Sequence, residues 1–220
     1  MEFFSDEKYS DYYKYSRNEM LDFIPDSCKK VLEIGCAEGL FGEKLKQVRD
    51  VEIWGVELFP DAGIKAKKRL EKVIIGDIES DSIDLPSYYF DCVIFNDVLE
   101  HFKNPWNVLN KLKKNLKKDA YVVASIPNVR YYNNLKSLLI NKNWQYENSG
   151  VLDFGHLRFF TKKSIIKMFT DCGYYVINIK GINSINLSWK LKLIKPVFYI
   201  LFSDTFFRQF ACIAQIKQGI

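Results

Sequence analysis

The stretch Val31-Leu32-Glu33-Ile34-Gly35-Cys36-Ala37-Glu38-Gly39-Leu40-Phe41 is an apolar run ending beside an acid, then a glycine-bearing turn, then the start of a helix-like segment. Near-continuous apolar character over so few residues suits a strand covered on both faces, as in a parallel sheet. A glycine turn between such a strand and a helix lets the backbone come close to a ligand. A dinucleotide fingerprint needs glycine at the first, third and sixth places of this turn. Here those places hold Gly35, Ala37 and Leu40, so a nicotinamide cofactor is excluded at two of three positions.

Working outward, similar short runs recur at 51–56, 72–75, 90–95, 121–126, 175–180 and 210–217. Between the fourth and fifth of the sheet's strands, Asn104 reads as an N-cap and Pro105 as the first helical residue, with Val108, Leu109, Leu112 and Leu116 as the apolar stripe. A second helix is expected over 162–172, capped by Thr161 and stopped at Gly173. Alternating strands and helices predict a doubly wound α/β sandwich.

Three segments fall outside the alternation. Residues 1–29 read as an N-terminal helical extension with a patch of Tyr9, Tyr12, Tyr13 and Tyr15; 127–160 and 181–209 read as inserts on the substrate side. Lysines 111, 113, 114, 117 and 118 read as a solvated helix face. The insert portion 187–202 mixes lysines with large apolar groups, which suits a lid, a contact between copies in a homo-oligomer, or peripheral contact with a membrane surface.

At 220 residues the chain is expected to be a single domain over 1–220, with its core at 30–180 and last strand at 210–217. A composition of 48% apolar and 27% charged residues excludes a disordered chain. The net charge of +5 falls short of a nucleic-acid binder's footprint. Five cysteines, scattered and without a CxxC pair, read as buried free thiols rather than a zinc ribbon or disulfide framework. The start lacks the pattern of a signal peptide, and the late apolar run at 197–202 is too short to span a membrane, so a cytoplasmic protein is expected.

The turn, with Glu33, Gly35, Ala37 and Gly39 spaced as acidic-x-Gly-x-Gly-x-Gly, resembles motif I of the class I S-adenosylmethionine-dependent methyltransferases, alanine standing in the middle glycine's place. The resemblance covers about residues 30–180. It implies a Rossmann-like seven-stranded sheet, mostly parallel with an antiparallel last strand. It also implies S-adenosyl-L-methionine held by Glu33, Gly35, Cys36, Ala37 and Gly39. Glu57 would accept the ribose hydroxyls with Leu58 beside it, Asp77 would bond the adenine amino group, Ile78 would pack on the ring, and Asn96 would lie by the methionine moiety.

At the reacting end, Asp97, Glu100 and His101 stand at i, i+3 and i+4, on one face if the segment is helical. Certain methyltransferases of polyprenyl quinone precursors and RNA ends carry Glu-x-x-Glu-His here and use it with a metal. By that resemblance Asp97, Glu100, His101 and His156 form a candidate set for a divalent cation. Asp97 in place of the first Glu shortens one arm, and polar groups so spaced are most often mere neighbours, so the metal is the weaker reading. The run Asp153-Phe154-Gly155-His156-Leu157-Arg158-Phe159-Phe160-Thr161 resembles bacterial methyltransferases found with cell-surface polysaccharide synthesis. A sugar hydroxyl is a poor nucleophile and needs a base, which assigns His156 as general base with His101 as partner. Arg130 and Arg158 would face an anionic acceptor or pair with Glu147 or Asp153. The expected function is O-methylation of a small-molecule or glycan acceptor. The alternatives are metal-assisted methylation of a phenol or RNA end, and a non-catalytic S-adenosylmethionine-binding module.

Overall fold

The structure, a computed structural model, describes residues 17–185 and 202–217. The tyrosine patch at 9–15 and nearly all of 187–202 lie outside these residues. Strand β1 (Lys30–Ile34) lies between β2 (Glu52–Glu57) and β4 (Phe90–Asn96), both parallel to it. With β3 (Lys72–Ile75), β5 (Leu116–Pro127), β6 (Tyr174–Ser184) and β7 (Phe207–Ile216), the described strands form one seven-stranded sheet, ordered β3-β2-β1-β4-β5-β7-β6. Strand β7 runs antiparallel to both neighbours. The expected Rossmann-like topology is present.

The apolar runs are continuous because both faces of the sheet are covered. Leu32, Ile34, Val93, Phe95, Val122 and Ala124 join one cluster, while their neighbours Val31, Cys92, Ile94 and Val123 join the other. Burying each large apolar chain contributes about 1.5–3 kcal/mol. The first face is closed by α3 (Pro105–Leu112) and α5 (Lys162–Asp171), through Val108, Leu109, Leu112, Ile165 and Phe169. Asn104 caps α3 by accepting from the Asn107 amide at 3.0 Å. Thr161 and Ser164 form a reciprocal capping box on α5. The other face is covered by α1 (Leu40–Val48) and by a short 3₁₀ turn at Asn18–Phe23, whose Met20 and Phe23 enter the second cluster.

Helix α2 (Pro60–Ala66) follows β2. Helix α4 (Tyr132–Leu139) lies within the first expected insert and buries none of its side chains. The described part of the N-terminal extension is the single 3₁₀ turn followed by irregular chain. The second insert is shorter than expected, since β6 continues to Ser184 and β7 begins at Phe207. Lys117 and Lys118 belong to β5 rather than to a helix face, and Lys117 pairs with Asp91 at 2.6 Å. All five cysteines are buried and free. No helix of the described residues is long and apolar enough to cross a membrane.

Candidate functional site

The order of strands reverses between β1 and β4, and in open α/β sheets ligands bind at the carboxyl ends of strands beside such a reversal. Register fixes what meets there. Ile34 lies level with Val56 and Phe95, so Glu33, Glu57 and Asn96 arrive at one edge. The turn after β1 takes left-handed backbone at Gly35 (φ +67°), Ala37 (φ +50°) and Gly39 (φ +78°). A Cβ at Gly35 would come within 2.7 Å of Val98 Cγ2, so glycine is required there by both conformation and space.

Glu57, almost fully buried, ties this turn to β2: it accepts from the Ala37 amide at 2.7 Å and the Phe59 amide at 3.0 Å. A carboxylate has about four acceptor positions, so capacity remains for two further donors. Burial raises the Glu57 pKa, opposed by the Phe59, Ala37 and Leu58 amides. Glu33 is more perturbed. Burial pushes it up to about 8, Asn96 Nδ2 opposes that from 3.4 Å, and the Glu57 charge adds to it. The side-chain carbonyl oxygen of Asn96 is buried with no hydrogen-bond partner among the described residues.

The remaining residues of the expected cofactor edge are placed unevenly. Asp77 is exposed and caps its own turn, accepting from the Glu79 amide at 2.8 Å. Leu58 stands out at 54% exposure beside Phe59 at 42%. Ile78 is buried in the main apolar cluster with Ile83, and Cys36 packs in the opposite one.

Beyond β4 the chain forms a 3₁₀ turn at Leu99–His101. Asp97 is drawn away from Glu100 and His101, with φ +55° and its carboxylate taken up by three partners. Ser125 Oγ donates at 2.8 Å, and Arg17 and Gln209 also donate. Glu100, His101 and His156 do come together, their ligand atoms lying within 4.8 Å of one another. Asp97 is not among them.

The protonation of the two imidazoles follows from their partners. His101 Nδ1 faces the Gly155 carbonyl at 2.9 Å and His156 Nδ1 faces the Val151 carbonyl at 3.0 Å. Carbonyls only accept, so both protons sit on Nδ1 and both Nε2 atoms carry lone pairs. The rings stand edge to face with centroids 4.8 Å apart. Among the described residues His101 Nε2 is buried without a hydrogen bond, and His156 Nε2 lies 3.9 Å from Glu100 Oε1. Burial lowers both histidine pKa values, and the His156 ring lowers that of His101 further. Neither carboxyl oxygen of fully buried Glu100 bonds another residue, and burial, then the Asp97 charge, push its pKa well up. Two imidazole lone pairs and one carboxyl, itself held towards its protonated form, thus converge on one space.

Of the two arginines expected to face an acceptor, Arg130 is paired with Asp204 through Nε at 2.7 Å, and Arg158 donates to the Lys103 carbonyl. The sequence reading missed Arg17, Ser125 and Gln209 around Asp97. Their separations from Asp97 of 80, 28 and 112 residues leave no local signal.

With this geometry in place, comparison with known proteins is decisive on family. Residues 6–179 match the methyltransferase domain family. The chain belongs to that family. The cofactor of this methyltransferase is S-adenosylmethionine, in keeping with its family and fold. It is similar to the ubiquinone biosynthesis O-methyltransferase of Glaesserella parasuis serovar 5 (strain SH0165), 27% identical over 109 residues, 46% of this chain and 46% of that one. The chain thus spans about half the length of that curated relative. A SAM-dependent methyltransferase from Archaeoglobus fulgidus shares the fold with a TM-score of 0.66 at 21% identity, covering 90% of this chain and 91% of that one. Another from Aquifex aeolicus does so with a TM-score of 0.63 at 14% identity, covering 97% and 99%.

Proposed function

We propose that this methyltransferase transfers the methyl group of S-adenosylmethionine to a hydroxyl of a sugar in a glycan or sugar-nucleotide precursor. The observation that carries the reading is the pair of imidazoles, His156 buried and His101 half-buried, whose Nε2 lone pairs share one space beside Glu100. When bound, S-adenosylmethionine supplies an electrophilic methyl carbon on a sulfonium. His156 takes the proton of the acceptor hydroxyl on Nε2 as the oxygen forms its bond to carbon, with His101 beside it. Glu100, its carboxyl held towards the neutral form by burial, lines the same space 3.9 Å from His156 Nε2.

The residues at the strand ends fit the cofactor by their unmet acceptors. An ammonium group suits the Asn96 carbonyl oxygen, which has no partner, and the Glu33 carboxyl beside it. The spare acceptor positions of Glu57 suit two ribose hydroxyls. Exposed Leu58 offers an apolar surface to an adenine ring, and Asp77 a carboxylate to its amino group. Gly35, Cys36, Ala37 and Gly39 set the path of the turn around these groups, whereas Ile78 stiffens the wall from within the core. The sugar acceptor is supported by the likeness of the segment 153–161 to glycan-associated methyltransferases. Release of S-adenosylhomocysteine with a panel of sugar acceptors tests it. Cofactor binding without turnover on any acceptor would favour the non-catalytic module instead.

A second reading rests on the same triad. Two imidazole nitrogens and a carboxylate within 4.8 Å are a donor set for a divalent transition ion. Metal analysis of the purified protein, and turnover before and after a chelator, separate it from the base reading. A rate unchanged by chelation rules the metal out.

A further inference from the structure

A polar cavity of about 320 Å³ lies in the first insert, within the range of small ligand clefts. Asn133 and Ser137 of α4 face it from one side. The segment 143–147 faces it from another with every second residue, Asn143, Gln145 and Glu147. The intervening residues turn the opposite way, Trp144 against Phe159 and Tyr146 stacked on Phe154 at 5.7 Å, with Phe159 in turn against His156. One short segment therefore presents amides to the cavity and aromatic rings to the reacting end.

Arg208 completes the wall, and among the described residues its guanidinium makes no hydrogen bond or ion pair. Gly150, with φ +100°, passes so close that a Cβ there would stand 2.9 Å from the guanidinium, so glycine makes room for it. The cavity also meets Val151 and Leu152, both buried. Val151 links it to the chemistry, since its carbonyl holds His156 Nδ1 at 3.0 Å.

We propose that this cavity is a second acceptor subsite, holding a hydroxyl-rich saccharide unit next to the unit that is methylated; this rests on the sugar-methylation reading above. Amides donate and accept at once, as vicinal hydroxyls do. Glu147 opposes a phosphate there, and an apolar ligand would strand the amides.

The test compares wild type with Asn143→Ala/Gln145→Ala and with Arg208→Ala, all exposed positions, after thermal melts establish folding. Acceptors are defined mono- and disaccharides of hexoses, hexosamines, 6-deoxyhexoses and uronic acids. For disaccharides the variants should raise KM tenfold or more, with kcat, cofactor affinity and monosaccharide KM unchanged. Turnover of disaccharides with KM unaltered in both variants overturns the subsite and leaves the methylation reading standing. If wild type methylates none of them, the methylation reading fails and binding to an array of the same saccharides decides the subsite alone. Binding lost in the variants supports it; no binding by wild type overturns it.

Discussion

Glu57 carries two separable duties, and Glu57→Ala should reveal both. In the free protein its carboxylate bonds the Ala37 and Phe59 amides, so removal leaves the half-buried Ala37 N–H in the turn without an acceptor. A stranded buried donor costs about 1–3 kcal/mol, and the Phe59 amide, on a residue 42% exposed, should cost less because water can reach it. For a chain of this length each kcal/mol shifts the melting temperature by roughly 2–4 °C, so a fall of about 2–12 °C is expected without any ligand. Each hydrogen bond from a ribose hydroxyl to the carboxylate is worth about 1.5–3 kcal/mol, or roughly ten- to a hundredfold in affinity. Calorimetric titration with S-adenosylhomocysteine and a melt of the free protein read the two effects separately. Glu57→Gln should fall between, because its NH2 group cannot accept from the amide it faces. An unchanged melt would refute the tie to the turn, and an unchanged Kd the ribose assignment.

Glu33, with its pKa raised from 4.5 to about 8, binds a proton more readily in the folded state, so its stabilising contribution is full at low pH and fades as pH climbs from 4.5 towards 8. Glu33→Gln should flatten that decline in melting temperature; a decline of unaltered slope would clear Glu33. Placing a cation beside Glu33 should also expel its proton, so calorimetry near pH 7 in buffers of different ionisation enthalpy should show less proton release for Glu33→Gln than for wild type. His156→Ala should lower turnover by about 10²–10⁴ while sparing cofactor affinity, and an undiminished rate would leave His156 as a loop anchor. Because burial lowers both histidine pKa values from 6.5, the acid limb of the rate profile should fall below that value; a limb above pH 7 contradicts the assignment. Gly35→Ala, forced against Val98 in left-handed backbone, should weaken both folding and cofactor binding, with Val98→Ala restoring only the space; normal melting of the single variant would count against that packing.

What could be read from the sequence was mostly short-range. The turn at 35–39, the Asn104-Pro105 start of α3 and the Thr161 cap are each decided within a few residues, and the structure has all three. The approach of His101 to His156 rested instead on likeness to known segments, since 54 residues lie between the Gly155 carbonyl and its partner ring. Helix α4 carries Tyr132, Leu135 and Leu139 on one face, a stripe too short to stand out within a polar segment read as an insert. Arg130 does pair with an acid, but with Asp204 rather than Glu147 or Asp153, because a partner 74 residues away leaves no local signal. Asp97 was grouped with Glu100 and His101 on the assumption of regular helix, and the left-handed backbone at 97 undid that grouping.

The place of β7 has a consequence for how the chain assembles. Among the described strands β6 has no neighbour except β7, which enters between it and β5 although it is the last of the seven in sequence. Until Phe207–Ile216 is available, β5 and β6 each present an open edge, and such edges invite pairing with other chains. The same late strand brings Gln209 to Asp97, 112 residues earlier. Loss of this strand would therefore not trim a margin but divide the sheet, leaving β6 orphaned and the reacting end unfinished. A nascent chain stalled short of residue 207 should be a client for chaperones rather than a slower enzyme.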